Sequence, residues 1–397
     1  MHAARTRGQP AALAAAVAVV DEGRSHALLL VGPGGVGKTT LALDIAAHLL
    51  CTADPVAARP CRACRGCRMV DSGNHPDLHR LAPDGPGGQI RIGERSNADR
   101  GTIRGLISSL ALLPVEGGAR VAILEGAHRL NDDAQSALLK TLEEPPAGVT
   151  IILCADDEER LLPTVRSRCA RIRLGPVGVR DIEVILGDAG AADPPTAARL
   201  GRLAGGRPGI ALAYAAAPEA VVGRAQIGRT LLDLLDAPRA KRLTAVRGLL
   251  AEAATAATLL APSSTPAGGR SGPKRKTAGE APPDAAEETT ESDVAADGVP
   301  GRRIPAAERR RAAAFLVDVW RAVARDLALV QLGDAQLVRD MALLDDLTEA
   351  ARGLPAGASA AFLERLTRAG ELLESNVSAE LIADGLVLAW PRRRSAA

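Results

Sequence analysis

The sequence predicts an α/β fold in which a parallel β-sheet carries helices on both faces, followed by a region made of helices alone. Three observations support this prediction. Short apolar runs typical of buried strands alternate with helical periodicity up to about residue 175. From residue 176 onward helical periodicity dominates. One long interval, residues 262–305, shows neither pattern.

The elements of the first region follow from their local sequences. A glycine-rich stretch, residues 32–37, separates the first apolar run from a helical pattern and predicts a loop. The predicted strands, all short and apolar, are residues 26–31, 78–81, 120–124, 149–154 and 170–174. The predicted helices of this region are residues 11–22, 38–50, 99–112 and 132–143.

The remaining chain reads as helices with one interruption. Residues 178–217 predict three small helices, and residues 219–260 and 306–390 continue the helical pattern. Trp320 lies in an apolar stripe at helical spacing, which is most simply core.

The interruption, residues 262–305, lacks aromatic residues and has few large aliphatic ones, so it predicts a disordered linker. A basic run within it, Lys274–Lys276, fits nucleic-acid contact or a solvated linker, and the second is the simpler interpretation.

Composition excludes several classes of protein. The 49 basic and 47 acidic residues give a net charge of +2, so the chain as a whole is not polybasic. The first aromatic residue is Tyr214, so the N-terminal half lacks the aromatic platforms on which single-stranded bases stack. No apolar run reaches the roughly 18 residues of a membrane helix. Residues 11–20 lead into charged residues without a cleavage site, so we expect a cytoplasmic protein.

A phosphate-binding loop is predicted between the first strand and the following helix. The full pattern G-x-x-x-x-G-K-[ST] occurs here as Gly32-Pro33-Gly34-Gly35-Val36-Gly37-Lys38-Thr39. The glycines let backbone N–H groups converge on phosphate oxygens, Lys38 can reach the β- and γ-phosphates, and Thr39 can ligate Mg²⁺. A glycine-rich turn without a ligand is the alternative. The strand–loop–helix context favours ATP binding.

The predicted catalytic site looks incomplete. The strand at residues 120–124 ends in Glu125, which can serve a metal ion. The next residue is Gly126, which cannot act as a base toward water. His128 could replace the base, although a histidine paired with a neighbour is the simpler interpretation. We therefore expect nucleotide binding with poor hydrolysis.

Four of the six cysteines predict a metal site. They are Cys51, Cys61, Cys64 and Cys67, and they form a compact module at residues 51–67. Four thiolates suit structural Zn²⁺ in tetrahedral geometry and leave no open position for catalysis. Redox use of one C-x-x-C pair and plain buried thiols are the alternatives. Cys154 and Cys169 are expected to be small buried residues.

Arg168 lies between small residues near a predicted helix end. An arginine at such a place can stabilise transition-state charge on a neighbouring subunit's ATP. In a chain rich in arginine, chemistry alone favours an ordinary surface or ion-paired residue.

Taken together, these features resemble the bacterial clamp-loader subunits of DNA polymerase III. The similarity is strong over about residues 7–215 and rests on architecture beyond them. Besides the phosphate loop and the cysteines, its motifs are Asn74-His75-Pro76-Asp77, Ala137-Leu138-Leu139-Lys140-Thr141-Leu142-Glu143-Glu144-Pro145-Pro146 and Ser167-Arg168-Cys169. The resemblance implies an AAA+ domain over residues 1–175, a helical lid over residues 176–217 and a helical collar over residues 218–397.

The family implies a role for the singled-out residues. Arg168 would be the arginine finger that completes the ATP site of an adjacent motor subunit. The four cysteines would ligate Zn²⁺. The helix 134–142 with Lys140 would lie at a subunit surface, although its leucines are most simply core. No polymerase active site is expected in this chain, and its own ATPase activity stays uncertain.

Two kinds of family member are candidates. Motor subunits, gamma and tau, carry an acid pair after the second strand and a sensor arginine in the lid. Here Glu125 is followed by Gly126, and Pro208-Gly209 stands near the sensor position, with Arg207 one residue away. These differences favour a rigid, non-motor subunit. Many such subunits have a degraded phosphate loop, whereas the loop is intact here, so this chain's nucleotide binding stays open.

An active motor using Lys38, Thr39 and Glu125 is the main alternative. A P-loop nucleotide kinase would leave the metal module, Ser167-Arg168-Cys169 and the collar unexplained. The resemblance implies a hetero-oligomeric ring with gamma/tau motor subunits and a delta subunit as partners. The sliding clamp would be an indirect partner, and primed DNA would be contacted through its phosphates without base reading. No membrane association is expected.

Overall fold

The computed structural model describes residues 1–23, 25–83, 89–90, 92–93, 101–116, 118–261, 305–374 and 377–393. Its N-terminal part is a five-stranded sheet of order β2-β3-β4-β1-β5 in which every neighbouring pair is parallel. The strands are β1 Ala27–Val31, β2 Leu78–Leu81, β3 Arg120–Leu124, β4 Val149–Ala155 and β5 Ala170–Arg173. All five strand predictions are confirmed to within about one residue at each end.

Helices cover both faces of the sheet, as predicted. They are α1 Pro10–Asp21, α2 Lys38–Leu49, α3 Arg65–Asp71, α4 Ile103–Leu110, α5 Asp132–Glu143 and α6 Pro163–Arg166. Successive side chains of a strand point to opposite faces. Leu28 and Leu30 accordingly pack with α1 and α2, whereas Leu29 packs with α4 and α5. Both faces are therefore buried, which explains the continuous apolar character of β1.

The later part of the chain is helical. Its first helices are α7 Val179–Asp188, α8 Pro194–Leu203 and α9 Pro208–Ala216, which share a small core around Ile182 and Tyr214. The others are α10 Pro218–Asp233, α11 Arg239–Leu259, α12 Ala306–Gln331, α13 Leu344–Arg352, α14 Ala358–Glu374 and α15 Ala379–Ala389. Within the predicted helix 99–112, the described residues form the shorter helix α4, Ile103–Leu110.

A cluster of aromatic rings forms the centre of the C-terminal helical region. Trp320 of α12 is fully buried, and its ring centroid lies 5.5 Å from that of Phe362 and 5.6 Å from that of Trp390. Such tilted and edge-on arrangements add to the free energy of plain apolar burial. The prediction that the Trp320 stripe is core is confirmed. Apart from Pro305, the linker predicted at residues 262–305 lies outside the described residues.

Helices long and apolar enough to span a membrane do not occur in the described part of the chain. The boundaries of the three predicted domains stay predictions.

Asp77 fixes the loop between α4 and β3. Its two carboxylate oxygens accept hydrogen bonds from the N–H groups of Val115 and Glu116 at 2.8 and 2.9 Å. The Arg120 guanidinium lies 3.3 Å from the same carboxylate, and both side chains are buried. Burial opposes ionisation of Asp77, but the two N–H groups and Arg120 outweigh it and hold its pKa below the ordinary value. This part of the conspicuous Asn74–Asp77 motif therefore has a structural role.

Asp77→Asn should destabilise the protein by about 3 kcal/mol at pH 7, because it leaves Arg120 buried without its counter-charge. The folded-state pKa of Asp77 is depressed, so its contribution is present above the unfolded pKa of about 3.9 and disappears as the pH falls through the folded value. Urea unfolding of both proteins at several pH values measures this difference.

The exposed Asp188 provides a matched control, since Asp188→Asn should change the free energy of unfolding by less than about 0.5 kcal/mol. Equal effects of the two substitutions would contradict the structural role of Asp77.

Candidate functional site

The predicted phosphate loop joins β1 to α2 at the carboxyl edge of the sheet. Gly35 and Gly37 have φ values of +80° and +108°, a region that side-chain-bearing residues rarely adopt. These conformations let the loop turn directly into the first residue of α2, Lys38. The loop therefore has the backbone that convergent N–H donors require, with the positive end of a helix dipole behind it.

Lys38 is held by two acceptors in this loop and one beyond it. Its ammonium donates to the carbonyl oxygens of Gly32 and Pro33 at 2.6 and 2.9 Å and lies 2.7 Å from Asp156 Oδ1. An ammonium has three hydrogens, so its donor capacity is fully used. The Lys38 side chain is only 8% exposed, whereas that of Asp156 is 45% exposed. Asp156 follows β4, which pairs with β1, and this pairing brings the two side chains together.

Glu125 lies at the end of β3, close to the predicted magnesium ligand Thr39. The Thr39 hydroxyl is 3.4 Å from Glu125 Oε2. The other oxygen, Oε1, accepts from Arg80 Nε and Nη2 at 3.1 and 2.6 Å. A guanidinium on the carboxylate supplies the positive charge that a divalent ion would bring, so this donor set does not suit Mg²⁺.

Arg80 was not identified from the sequence. It lies on β2 opposite Ile123 of β3, and its approach to Glu125 depends on the parallel register of these two strands. An alternating polar residue in a four-residue edge strand carries no signal of such a contact.

His128 is buried and unsuited to the role of base. Its Nδ1 accepts a hydrogen bond from the backbone N–H of Asp156 at 3.1 Å. Burial lowers its pKa below the ordinary value, and this outweighs the opposing effect of the Asp156 carboxylate. The ring is therefore neutral at pH 7, and Nδ1 is already engaged.

The first turn of α9 packs against the phosphate loop. Gly209 donates its N–H to the Gly35 carbonyl at 2.9 Å, and a Cβ on Gly209 would lie 3.2 Å from Gly35 Cα. Arg207, the residue directly before α9, pairs with Asp318 of α12 at 3.2 Å. Arg207, the residue nearest the sensor position, thus makes its ion pair with the C-terminal helices.

The four clustered cysteines meet beside the end of α2. Cys51 follows that helix, Cys64 caps the N-terminus of α3, and Cys67 lies within α3. Their sulfur atoms all lie within 4.8 Å of one another, with Cys51 Sγ 3.6 Å from Cys61 Sγ and 3.8 Å from Cys64 Sγ.

These separations fit a metal ion. Tetrahedral bonds of about 2.3 Å to sulfur imply sulfur–sulfur distances of about 3.8 Å. Burial would raise the pKa of Cys64, but hydrogen bonds from the backbone of Cys67 and Thr52 outweigh it and lower that pKa to about 6, whereas burial raises the pKa of Cys67 to about 12. By its sulfur separations the cluster could hold a metal ion, as its spacing predicted.

A buried carboxylate connects the cysteine module to α2. Asp44, fully buried on α2, accepts hydrogen bonds from the backbone of Arg5 and Thr6 at 3.0 and 2.8 Å. The Arg62 guanidinium, from the loop between two of the cysteines, contacts Asp44 and also lies 2.6 Å from Asp71 of α3. The N-terminal segment, the metal module and the phosphate-loop helix therefore share one ionic network.

Arg168 lies on the surface just after α6. Its Nη2 is 2.5 Å from Glu143 Oε1 at the end of α5, and its Nη1 donates to the Thr164 carbonyl at 2.8 Å. The Arg168 side chain is 34% exposed. These contacts join Arg168 to α5 and α6 and leave its side chain partly exposed.

Comparisons with known proteins match the N-terminal part of the chain. Residues 9–178 match the family described as "DNA polymerase III, delta subunit". DNA polymerase III subunit delta' of Pseudomonas aeruginosa is 39% identical over 147 residues, which are 37% of this chain and 42% of that protein. Its counterpart in Escherichia coli is 38% identical over 161 residues, or 40% of this chain and 46% of that protein. The tau subunit of Escherichia coli is 34% identical over 179 residues, or 44% of this chain and 26% of that protein.

The chain thus spans less than half the length of each of these curated relatives. The predicted resemblance to the clamp-loader subunits is confirmed over this region, where the relatives include both delta' and tau subunits. A solved gamma-subunit-related protein of Thermotoga maritima aligns with 96% of this chain at 14% identity, but its TM-score of 0.38 is too low to support an argument.

Asp44→Ala should destabilise the protein by about 3 kcal/mol, because it leaves Arg62 and two N–H groups without their shared acceptor. The N-terminal segment should also become cleavable by trypsin at Arg5 and Arg7. Urea unfolding and limited proteolysis measure both effects. The exposed Asp54 offers a control, and Asp54→Ala should leave both unchanged. An intact, resistant N-terminus in Asp44→Ala would disprove the proposed connection.

Proposed function

We propose that this chain is the delta-prime-type subunit of a DNA polymerase III clamp loader, which supports ATP-dependent loading of the sliding clamp onto primed DNA. The observation that carries the proposal is the contrast between two sites. In the chain's own P-loop site, the position after Glu125 is Gly126 and not a second acid, and the Glu125 carboxylate is hydrogen-bonded by Arg80. Arg168, in contrast, follows the short helix α6 and lies in a partly exposed ion pair with Glu143. The similarity to delta-prime subunits supports the same assignment.

The role of Arg168 follows from its position and chemistry. A guanidinium is permanently charged and can stabilise charge that develops on a transferring phosphoryl group. Glu143 holds Arg168 while no partner is present, through a half-exposed ion pair that costs little to break. We infer that Arg168 leaves Glu143 to complete the ATP site of an adjacent motor subunit.

The proposed partners are gamma or tau motor subunits and a delta subunit in a hetero-oligomeric ring. Contacts would come from the AAA+ domain, residues 1–175, and from the collar, residues 218–397, with residues 176–217 as the lid. The exposed Lys140 on α5 supports a subunit contact near Arg168, because α5 ends at the Glu143 that holds Arg168. DNA would be contacted through its phosphates and the sliding clamp indirectly.

An active gamma/tau-like motor is the second candidate. The complete P-loop with Lys38 and Thr39, and 34% identity to tau subunits, favour it. Turnover of about one ATP per second or more by the isolated chain would establish it and overturn our proposal.

We propose that the metal of the cysteine module is Zn²⁺ in a structural role. Four thiol ligands leave no coordination position for a substrate, and the sulfur separations suit tetrahedral geometry. The ion would fix the loop that carries Arg62 and thereby the network around Asp44.

Cys64→Ser should reduce bound zinc from about one ion per chain to less than about a tenth, since one thiolate of four is lost. Elemental analysis after removal of loosely bound metal measures this content. Cys154, buried outside the cluster, provides the control, and Cys154→Ser should retain the zinc. Equal zinc content in the two variants would contradict the site.

Arg168→Ala should lower the ATPase rate of a complex formed with a motor subunit. ATP hydrolysis at the motor site that Arg168 completes should slow by about a thousandfold. The total ATPase rate of the complex should therefore fall by the fraction that this site contributes. Lys38→Ala should change the rate little, because the chain's own hydrolysis is not required. A steady-state ATPase assay on the purified complexes measures both.

Arg166 is the matched control for this assay. It lies two residues from Arg168, pairs with Glu159 at 2.8 Å, and Arg166→Ala should leave the rate unchanged. A rate that falls with Lys38→Ala and not with Arg168→Ala would contradict the proposal.

A further inference from the structure

The charges around the P-loop are the reverse of those that MgATP requires. A MgATP site needs a free ammonium for the β- and γ-phosphates and a free carboxylate for the metal ion. Here a carboxylate lies on Lys38, and a guanidinium lies on Glu125. The Asp156 carboxylate lies where the negatively charged phosphates would bind, and the Arg80 guanidinium lies where Mg²⁺ would bind.

The first reversal involves Asp156. Its Oδ1 is 2.7 Å from Lys38 Nζ, and its Oδ2 would lie 3.1 Å from a Cβ placed on Gly34. The carboxylate therefore lies over the loop as well as beside the ammonium. Lys38 can reach both the β- and the γ-phosphate, so a third phosphate would bring a second anionic group beside this carboxylate, and like charges at such a distance repel.

The second reversal involves Arg80. Two of its nitrogens donate to Glu125 Oε1, and Thr39 lies on the other oxygen of the same carboxylate. Among the described residues this contact engages only part of the five N–H donors of the guanidinium. Such donors suit phosphate oxygens, so Arg80 can neutralise a diphosphate without a metal ion.

The lid limits the space on the other side of the loop. A Cβ on Gly35 would lie 3.1 Å from the Ile210 side chain, and Gly209 is hydrogen-bonded to the Gly35 carbonyl. Asp156 and Ile210 thus cover two successive glycines of the loop. The arrangement leaves the backbone N–H groups of the loop as the main remaining donors for a short phosphate chain.

We propose that this P-loop takes a nucleoside diphosphate without a divalent ion, with Arg80 replacing the metal and Asp156 excluding a third phosphate. The inference rests on the nucleotide binding that the P-loop motif predicts and adds its ligand class. It assigns specificity to two residues outside the P-loop motif, and it makes the chain a fixed member of a ring whose other sites turn over.

Titration calorimetry on the full chain with ADP and ATP, each with Mg²⁺ or with EDTA, tests the proposal. We expect ADP to bind at least about tenfold more tightly than ATP. We expect its affinity to change less than about threefold when Mg²⁺ is removed. Tighter binding of MgATP than of ADP, or a requirement for Mg²⁺, overturns the proposal.

Two variants with side chains of similar size test the roles of Asp156 and Arg80 separately. Asp156→Asn should bring the affinities for ADP and ATP within about threefold of each other, because the repelling charge is gone. Arg80→Met should make ADP binding at least about tenfold weaker in EDTA than in Mg²⁺, because Glu125 is then free to hold the ion. Unchanged preferences in either variant would remove that residue from the proposal.

Neighbouring and distant residues serve as controls. Asp157→Asn changes the next carboxylate along the chain, and Arg368→Met removes an exposed arginine paired with Glu371 at 2.8 Å. Both should bind nucleotides as the unaltered chain does. An unaltered chain that binds neither nucleotide overturns this inference and leaves the clamp-loader role to the Arg168 assay, so the two failures are distinguishable.

Discussion

The carboxyl edge of the parallel sheet is the constraint on which the rest of this structure depends. Parallel register brings the ends of β1, β3 and β4 together, and with them Lys38, Glu125 and Asp156. Charges brought into so crowded a place need partners, because desolvation penalises an unpaired charge. The chain supplies these partners itself, through Asp156 on Lys38 and Arg80 on Glu125. The one arginine of the proposed function, Arg168, has its partner Glu143 in a partly exposed ion pair away from this edge.

The same principle of shared charges connects the modules of the N-terminal region. Asp44 accepts from the first residues of the chain and from Arg62 of the cysteine module, and it belongs to the helix that begins at Lys38. Metal binding by the cysteines would therefore act on the P-loop helix through a rigid connection. The proposed role of Arg168 would benefit from such rigidity, since an arginine finger acts through its position.

Much of this arrangement could be predicted from the sequence, because its signals are local. The P-loop motif lies within eight residues, the cysteines lie within seventeen, and the strands are short apolar runs. The ion pairs could not be predicted. Arg80 meets Glu125 only through the β2–β3 register, and Glu143 meets Arg168 across twenty-five residues of sequence. Such contacts depend on strand order and helix packing, which composition and periodicity do not specify.

A cryo-EM structure of the chain in complex with motor subunits and a non-hydrolysable ATP analogue tests the central claim most directly. The account predicts that Arg168 has left Glu143 and contacts the terminal phosphate bound by the neighbouring motor subunit. It also predicts that the chain's own P-loop keeps the Lys38–Asp156 and Arg80–Glu125 pairs. A magnesium-bound triphosphate on Lys38 and Thr39 of this chain, with Arg168 still on Glu143, would contradict the account.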